Sequence, residues 1–167
     1  RTGRFTVDVG KQLVRWARAD LVNPIDRFAP RDYLNVIDTE FLPVTAVRPM
    51  LQIGNESVEA VWTPRFTPSR MPLLDQRWTT LPPEAAGITI LDAGFEFPDR
   101  GQVGLRWRHT GGRVEVGASL FDGVTHHPHV IVMPLEDGQV VEIRRTFPQL
   151  RMYAIDTGRL RKPCTKL

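Results

Sequence analysis

Residues 102–121, QVGLRWRHTGGRVEVGASLF, alternate in polarity on both sides of a pair of glycines. A hairpin turning at Gly111-Gly112 suits the positive φ that two-residue turns require. That turn sets Trp107 opposite Val116, Leu105 opposite Ala118 and Val103 opposite Leu120. The other face brings Arg108 opposite Glu115, an opposite-charge cross-strand pair, and Arg106 opposite Gly117. One face is wholly apolar and the other carries charge and glycine. Because side chains alternate with a period of two, this partition constrains the register strongly.

The same pattern continues in both directions. Residues 44–63 read as a hairpin about Gly54-Asn55, with Leu51 opposite Val58, Pro49 opposite Ala60 and Val47 opposite Trp62 on one face. Its other face pairs Gln52 with Ser57, Met50 with Glu59 and Arg48 with Val61. Residues 4–9 place Phe5, Val7 and Val9 on one face, in a strand expected to reach about Arg15. Residues 139–146 and 150–157 suggest another hairpin around Pro148-Gln149, in which Asp156 interrupts the alternation. Between them, residues 64–92 form a long connection whose prolines (64, 68, 72, 82 and 83) argue against regular strand. Connections of that length tend to be functional. The expectation is an all-β chain, an antiparallel meander of about seven or eight strands.

The totals are compatible with one domain. The chain has 167 residues, of which 41% are hydrophobic and 25% charged. No stretch of eighteen apolar residues could form a membrane helix, a test that β-barrels escape because their lipid-facing residues alternate. Cys164 is the single cysteine, which leaves no internal disulfide and no cysteine-built zinc site. Arg159, Arg161, Lys162 and Lys166 lie in the last nine residues, and removing their four charges takes the net charge from +3 to −1. A near-neutral body gives little support to nucleic-acid binding. The residues 1–157 therefore read as one domain and 158–167 as a basic tail, foreign in composition, expected to be disordered or to stem from a shifted frame. The opening Arg1–Gly3 shows no signal-peptide core, so the expectation is an internal fragment.

Alternation alone leaves two architectures open. In a soluble sandwich the apolar face is core and the polar face meets water. In a membrane barrel the apolar face meets lipid and the polar face lines a lumen. Arg48, Arg106, Arg108 and Arg144 lie mid-strand beside Glu59, Glu115 and Glu142, as a lumen wall would have them. Trp62 and Trp107 fall on the apolar face near expected strand ends, where an aromatic girdle would lie. Surface strands of soluble proteins also carry such charges, and a buried Trp is often core.

The stretch 10–33, GKQLVRWARADLVNPIDRFAPRDY, is densely charged with apolar residues between the charges. It is expected to fold over or into the end of the barrel. It resembles a signature of a family of uncharacterised bacterial outer-membrane β-barrel proteins, distantly similar to alginate-export porins. VWTPRFTPSRMPLLDQRW (61–78), SLFDGVTHHPHV (119–130) and RRTFPQLRMYAID (144–156) resemble later segments of that family, in the same order. The resemblance implies a transmembrane barrel with long loops in the bacterial outer membrane, contact with outer-membrane lipid, and passage of some small solute. Family members are several times longer. The resemblance carries over no catalytic residue, cofactor or metal.

The candidate site residues are charges that line a pore or anchor loops: Arg15, Arg18, Asp20, Asp26, Arg27, Arg31, Asp32, Arg65, Arg70, Arg77, Arg106, Arg108 and Glu115. Rings of charge screen solutes in pores, whereas paired charges merely fasten a loop to the wall. His126, His127 and His129 cluster in THHPH, but adjacent His126 and His127 point apart in extended chain, so a loop is favoured over a metal site. Ser57, Ser69 and Ser119 lack the sharp glycine-flanked setting of a nucleophile, and no enzyme is expected. The alternative function is a soluble β-sandwich that binds carbohydrate in the cell envelope.

Overall fold

The computed structural model describes residues 4–16, 24–35, 40–72, 87–112, 114–135 and 140–159. They form nine strands: β1 (Arg4–Gln12), β2 (Val44–Ile53), β3 (Glu56–Thr63), β4 (Thr89–Glu96), β5 (Gln102–Gly111), β6 (Val114–Val124), β7 (His129–Leu135), β8 (Val140–Thr146) and β9 (Gln149–Arg159). The all-β expectation holds, and the described residues contain no helix, but they form nine strands rather than seven or eight, and the chain leaves simple meander order where β4, β7 and β8 build a separate sheet. The strands divide into a six-stranded sheet, β1-β2-β3-β5-β6-β9, and a three-stranded sheet, β4-β8-β7. The large sheet is antiparallel throughout and open, with β1 and β9 at its edges. The small sheet is mixed, since β4 runs parallel to β8. A parallel pair needs a long crossover, and the chain supplies one by passing through β5, β6 and β7 between the two.

Sequence register holds at one hairpin and shifts at the other. In β2–β3, Val47 faces Trp62, Met50 faces Glu59 and Leu51 faces Val58, as the Gly54-Asn55 turn requires. In β5–β6, Trp107 pairs with Ala118 instead of Val116, Leu105 with Leu120, and Arg108 with Gly117. The turn begins at Gly112, at φ +63, one residue later than expected. A one-residue move of a turn shifts partners by two, so every side chain keeps its face. The expected 139–146/150–157 hairpin does not form: β8 pairs with β4 and β7, while β9 pairs with β6. β1 ends at Gln12 rather than Arg15, and the supposed loop 64–92 already contains the start of β4. β9 continues to Arg159, past the expected boundary at 157, and residues 160–167 lie outside the described residues.

The two ends of the large sheet differ. At one end β2–β3 and β5–β6 are joined by two residues each. At the other end depart all the long connections, 13–43, 64–101 and 125–148, the last two carrying the small sheet. A cluster of Phe66, Phe95, Phe97 and Phe147 sits where those connections meet. Among the described residues no strand of the small sheet pairs with a strand of the large one.

The core lies on the polar-patterned face of the large sheet. Leu13–Trp16 leaves β1 and, with Pro24–Tyr33, folds across this face. Trp16 and Phe28 meet edge to face at 5.2 Å, and Phe28 meets Phe121 at 4.9 Å. Val14, Val44, Ala46 and Val61 complete the buried cluster. Gly104 on β5 makes room for it: a Cβ there would stand 2.5 Å from both the Phe28 and Trp16 rings.

The opposite face is apolar and uncovered. Along β5, Val103, Leu105 and Trp107 are exposed while Gln102, Gly104 and Arg106 between them are buried. Phe5, Val7 and Val9 on β1, Leu51 and Ile53 on β2, Val58 and Trp62 on β3, and Tyr153 and Ile155 on β9 extend the same surface. Polar groups bound it. Near the long connections Asp122 binds Arg100 and Arg151, and near the tight turns His109 binds Glu56. Trp62 stands next to the end of β3, whereas Trp107 lies in mid-strand rather than near an end as expected.

Candidate functional site

Two groups of charges lie on the covered face, separated by the Trp16–Phe28–Phe121 wedge. The first is a ladder on the sheet wall. Arg48 Nε donates to Glu59 at 2.7 Å, and the Trp16 indole N–H donates to the same carboxylate oxygen at 2.9 Å. Arg106 is almost fully buried and lies 3.7 Å from the Asp156 carboxylate; Arg108 lies 3.5 Å from Glu115. The Arg108–Glu115 contact forms diagonally, because their direct partners are Gly117 and Thr110. Asp156, which looked like a break in alternation, shares the inner face with Met152 and Ala154. It reaches Arg106 across Gly117, where a Cβ would collide with its carboxylate.

The second group surrounds a cavity of about 470 Å³ at the long-connection end, lined by Arg27, Arg31, Tyr33, Phe41, His126 and His127 among others. Three separate stretches of chain build its wall. Arg31 N donates to Ser69 Oγ at 3.0 Å, Arg70 N donates to Arg31 O at 2.9 Å, and Tyr33 N donates to Arg70 O at 2.9 Å. Ser69 N donates to His126 O at 3.0 Å, which ties in the third stretch. Arg70 also pairs with Asp32 at 3.1 Å. Asp26 accepts the Trp16 backbone N–H at 2.6 Å and lies 3.6 Å from Arg15. Phe41 is flanked by two guanidinium groups, Arg15 at 4.4 Å and Arg31 at 4.2 Å from the ring centre.

His126 pins these stretches together. It is buried, stacks on Phe66, and directs one ring nitrogen at Thr67 O (2.6 Å) and the other at Arg27 O (2.8 Å). Burial pushes its pKa below the ordinary histidine value; the two carbonyls oppose that, and the charges of His127 and Arg27 reinforce it. His127 Nε2 lies 2.9 Å from the Tyr33 hydroxyl. Its pKa is also lowered, by burial first and then by Arg31 and Arg27. His126 and His127 do lie in a loop, as expected, but the sequence carries no sign of this fastening role. With both His126 nitrogens facing carbonyls, the ring serves as a brace between loops.

The expected site residues thus separate. Arg106, Arg108 and Glu115 belong to the ladder. Arg27 and Arg31 line the cavity, and Asp32 and Arg70 fasten its wall. Arg15 and Asp26 pair with each other beside it. Arg65 borders a different cavity, near Phe97 and Arg100. Arg144 and Glu142, read as lumen charges, instead pair at 2.9 Å on the small sheet. Arg18, Asp20 and Arg77 lie outside the described residues. Comparison with family models, curated proteins and solved structures finds no match for this chain.

Proposed function

We propose that the chain is part of a bacterial outer-membrane β-barrel that lets a small solute pass. The large sheet is then a segment of barrel wall, its apolar face on lipid and its charged face on a lumen narrowed by Trp16 and Phe28. The observation that carries this reading is the inverted burial on β5, where Leu105 is 44% exposed and its neighbour Arg106 only 3%. In water, a continuous uncovered apolar face this broad would be costly; against lipid it is the expected exterior. Strand lengths of eight to eleven residues in the large sheet match those of tilted spanning strands. Tight turns at one end and long connections at the other repeat the usual asymmetry between periplasmic and extracellular ends.

Brominated lipids test this directly. In vesicles, variants retaining only Trp62 or only Trp107, with the other tryptophans changed to Phe, are expected to lose fluorescence to bromine on the acyl chains. A variant retaining only Trp16 is expected to be unaffected. If neither outer tryptophan is quenched, lipid does not cover that face and the barrel reading fails.

A further inference from the structure

We propose that the cavity between Pro24–Tyr33 and the turn at His126–Pro128 binds a small organic acid. Arg27 and Arg31 would hold its carboxylate, and the apolar walls its body. Any role in passage rests on the barrel reading, but binding itself does not.

The charge at the cavity is unbalanced. Among the described residues no carboxylate pairs with Arg27 or Arg31. The acidic side chain on the wall, Asp26, is already engaged by Arg15 and the Trp16 N–H. The Nε of Arg27 is buried with no acceptor. Both guanidinium charges depress the pKa of His127, so their fields converge on one wall of the cavity.

The cationic groups are also held in place. Arg31 lies over the Phe41 ring, 4.2 Å from its centre, and Arg15 lies over the same ring at 4.4 Å. A guanidinium attracted to a ring face by its charge still has N–H groups to offer, in the fork that matches a carboxylate. Tyr33 and His127 add a polar pair at 2.9 Å beside it.

The remaining walls decide the body of the ligand. Pro24, Val124, Pro128 and Pro148 face the cavity with Phe41. A bare, strongly hydrated anion gains nothing from such walls, whereas an aromatic or aliphatic acid buries its body against them. The volume falls within the range of ordinary small-molecule sites.

The test is calorimetric titration of the full chain in detergent with benzoate, its neutral counterpart benzamide, and glucuronate as a hydroxylated acid. Benzoate is expected to bind, with benzamide and glucuronate each about ten-fold weaker or more. Arg31→Gln and Arg27→Gln are each expected to weaken benzoate about ten-fold, while Arg144→Gln on the small sheet changes nothing. Benzamide binding as well as benzoate, or no binding of benzoate to the unaltered protein, overturns the site. Glucuronate binding more tightly than benzoate overturns the apolar body. These measurements need no bilayer, so their failure is distinguishable from failure of lipid quenching.

Discussion

The large sheet and the edge strand of the small sheet meet their surroundings differently. Both have alternating or apolar sequence, and both are paired by ordinary ladders. On the large sheet, one face is covered because chain from outside the strands, Leu13–Trp16 and Pro24–Tyr33, lays Trp16 and Phe28 across it. On the small sheet, β7 is exposed along its whole length, including Val130, Ile131, Val132 and Met133. Strand pairing determines which side chains share a face. What lies against that face is decided by other parts of the chain. The large sheet adds a second contrast, between the covered face that carries the charges and the uncovered one that carries the apolar side chains.

The largest test of that contrast replaces the same residue type on opposite faces. Trp16→Ala removes a ring that is 2% exposed, and its N–H bond to Glu59. The expected cost is about 3–5 kcal/mol, as for other buried aromatics. Trp62→Ala, on the uncovered face, is expected to cost about 1 kcal/mol or less in detergent. Denaturant unfolding of both variants in the same detergent measures the difference. Equal losses would mean that the segment from Leu13 does not hold the sheet as described.

A smaller effect separates the charges of the two sheets. Arg106→Gln removes a buried cation and leaves Asp156 with less to offset its charge. Asp156 is 19% exposed, so water recovers part of the loss and the expected cost is about 2–3 kcal/mol, below that of breaking a fully buried pair. Arg144→Gln breaks a half-exposed pair on the small sheet and should fall within about 0.5 kcal/mol of the unaltered protein. Unfolding midpoints check both, and a cost for Arg144→Gln as large as that for Arg106→Gln would contradict the partition.

These contrasts also show what the sequence could reveal. The faces of β5 and β6 were legible because any even shift preserves them, although Gly111-Gly112 followed by Arg113 offered two alternative turns and the partners were misjudged by two. Gly54-Asn55 offered one turn, and there the partners were right. The small sheet was illegible: β8 joins β4 in parallel, at a distance along the chain that no local pattern announces. Pro148 looked like a hairpin turn but marks where the chain passes from one sheet to the other. Asp156 seemed an interruption because its partner, Arg106, lies two strands away across Gly117. His126 gave no signal because its partners are backbone carbonyls, 59 and 99 residues distant.

The smallest predicted effect concerns pH and tests whether His126 braces the loops. A neutral imidazole has one N–H donor, so only one of the carbonyls, Thr67 O or Arg27 O, receives a hydrogen bond from it. Protonation would satisfy both, but burial of the charge outweighs that gain and keeps the pKa lowered. His127 is lowered in the same direction. In the unfolded chain both groups titrate near about 6.5. As pH falls through that value, the unfolded chain takes up protons that the folded one refuses. Stability should therefore be steady above about pH 6.5 and decline below it. Unfolding midpoints are measured between about pH 7.5 and 5.5, above the ordinary carboxylate range. Replacing His126 and His127 together by Gln should flatten the slope, since neither replacement can take up a proton. A midpoint that rises on acidification would reverse the sign, and His126 would then be a cation held between two carbonyls rather than a neutral brace.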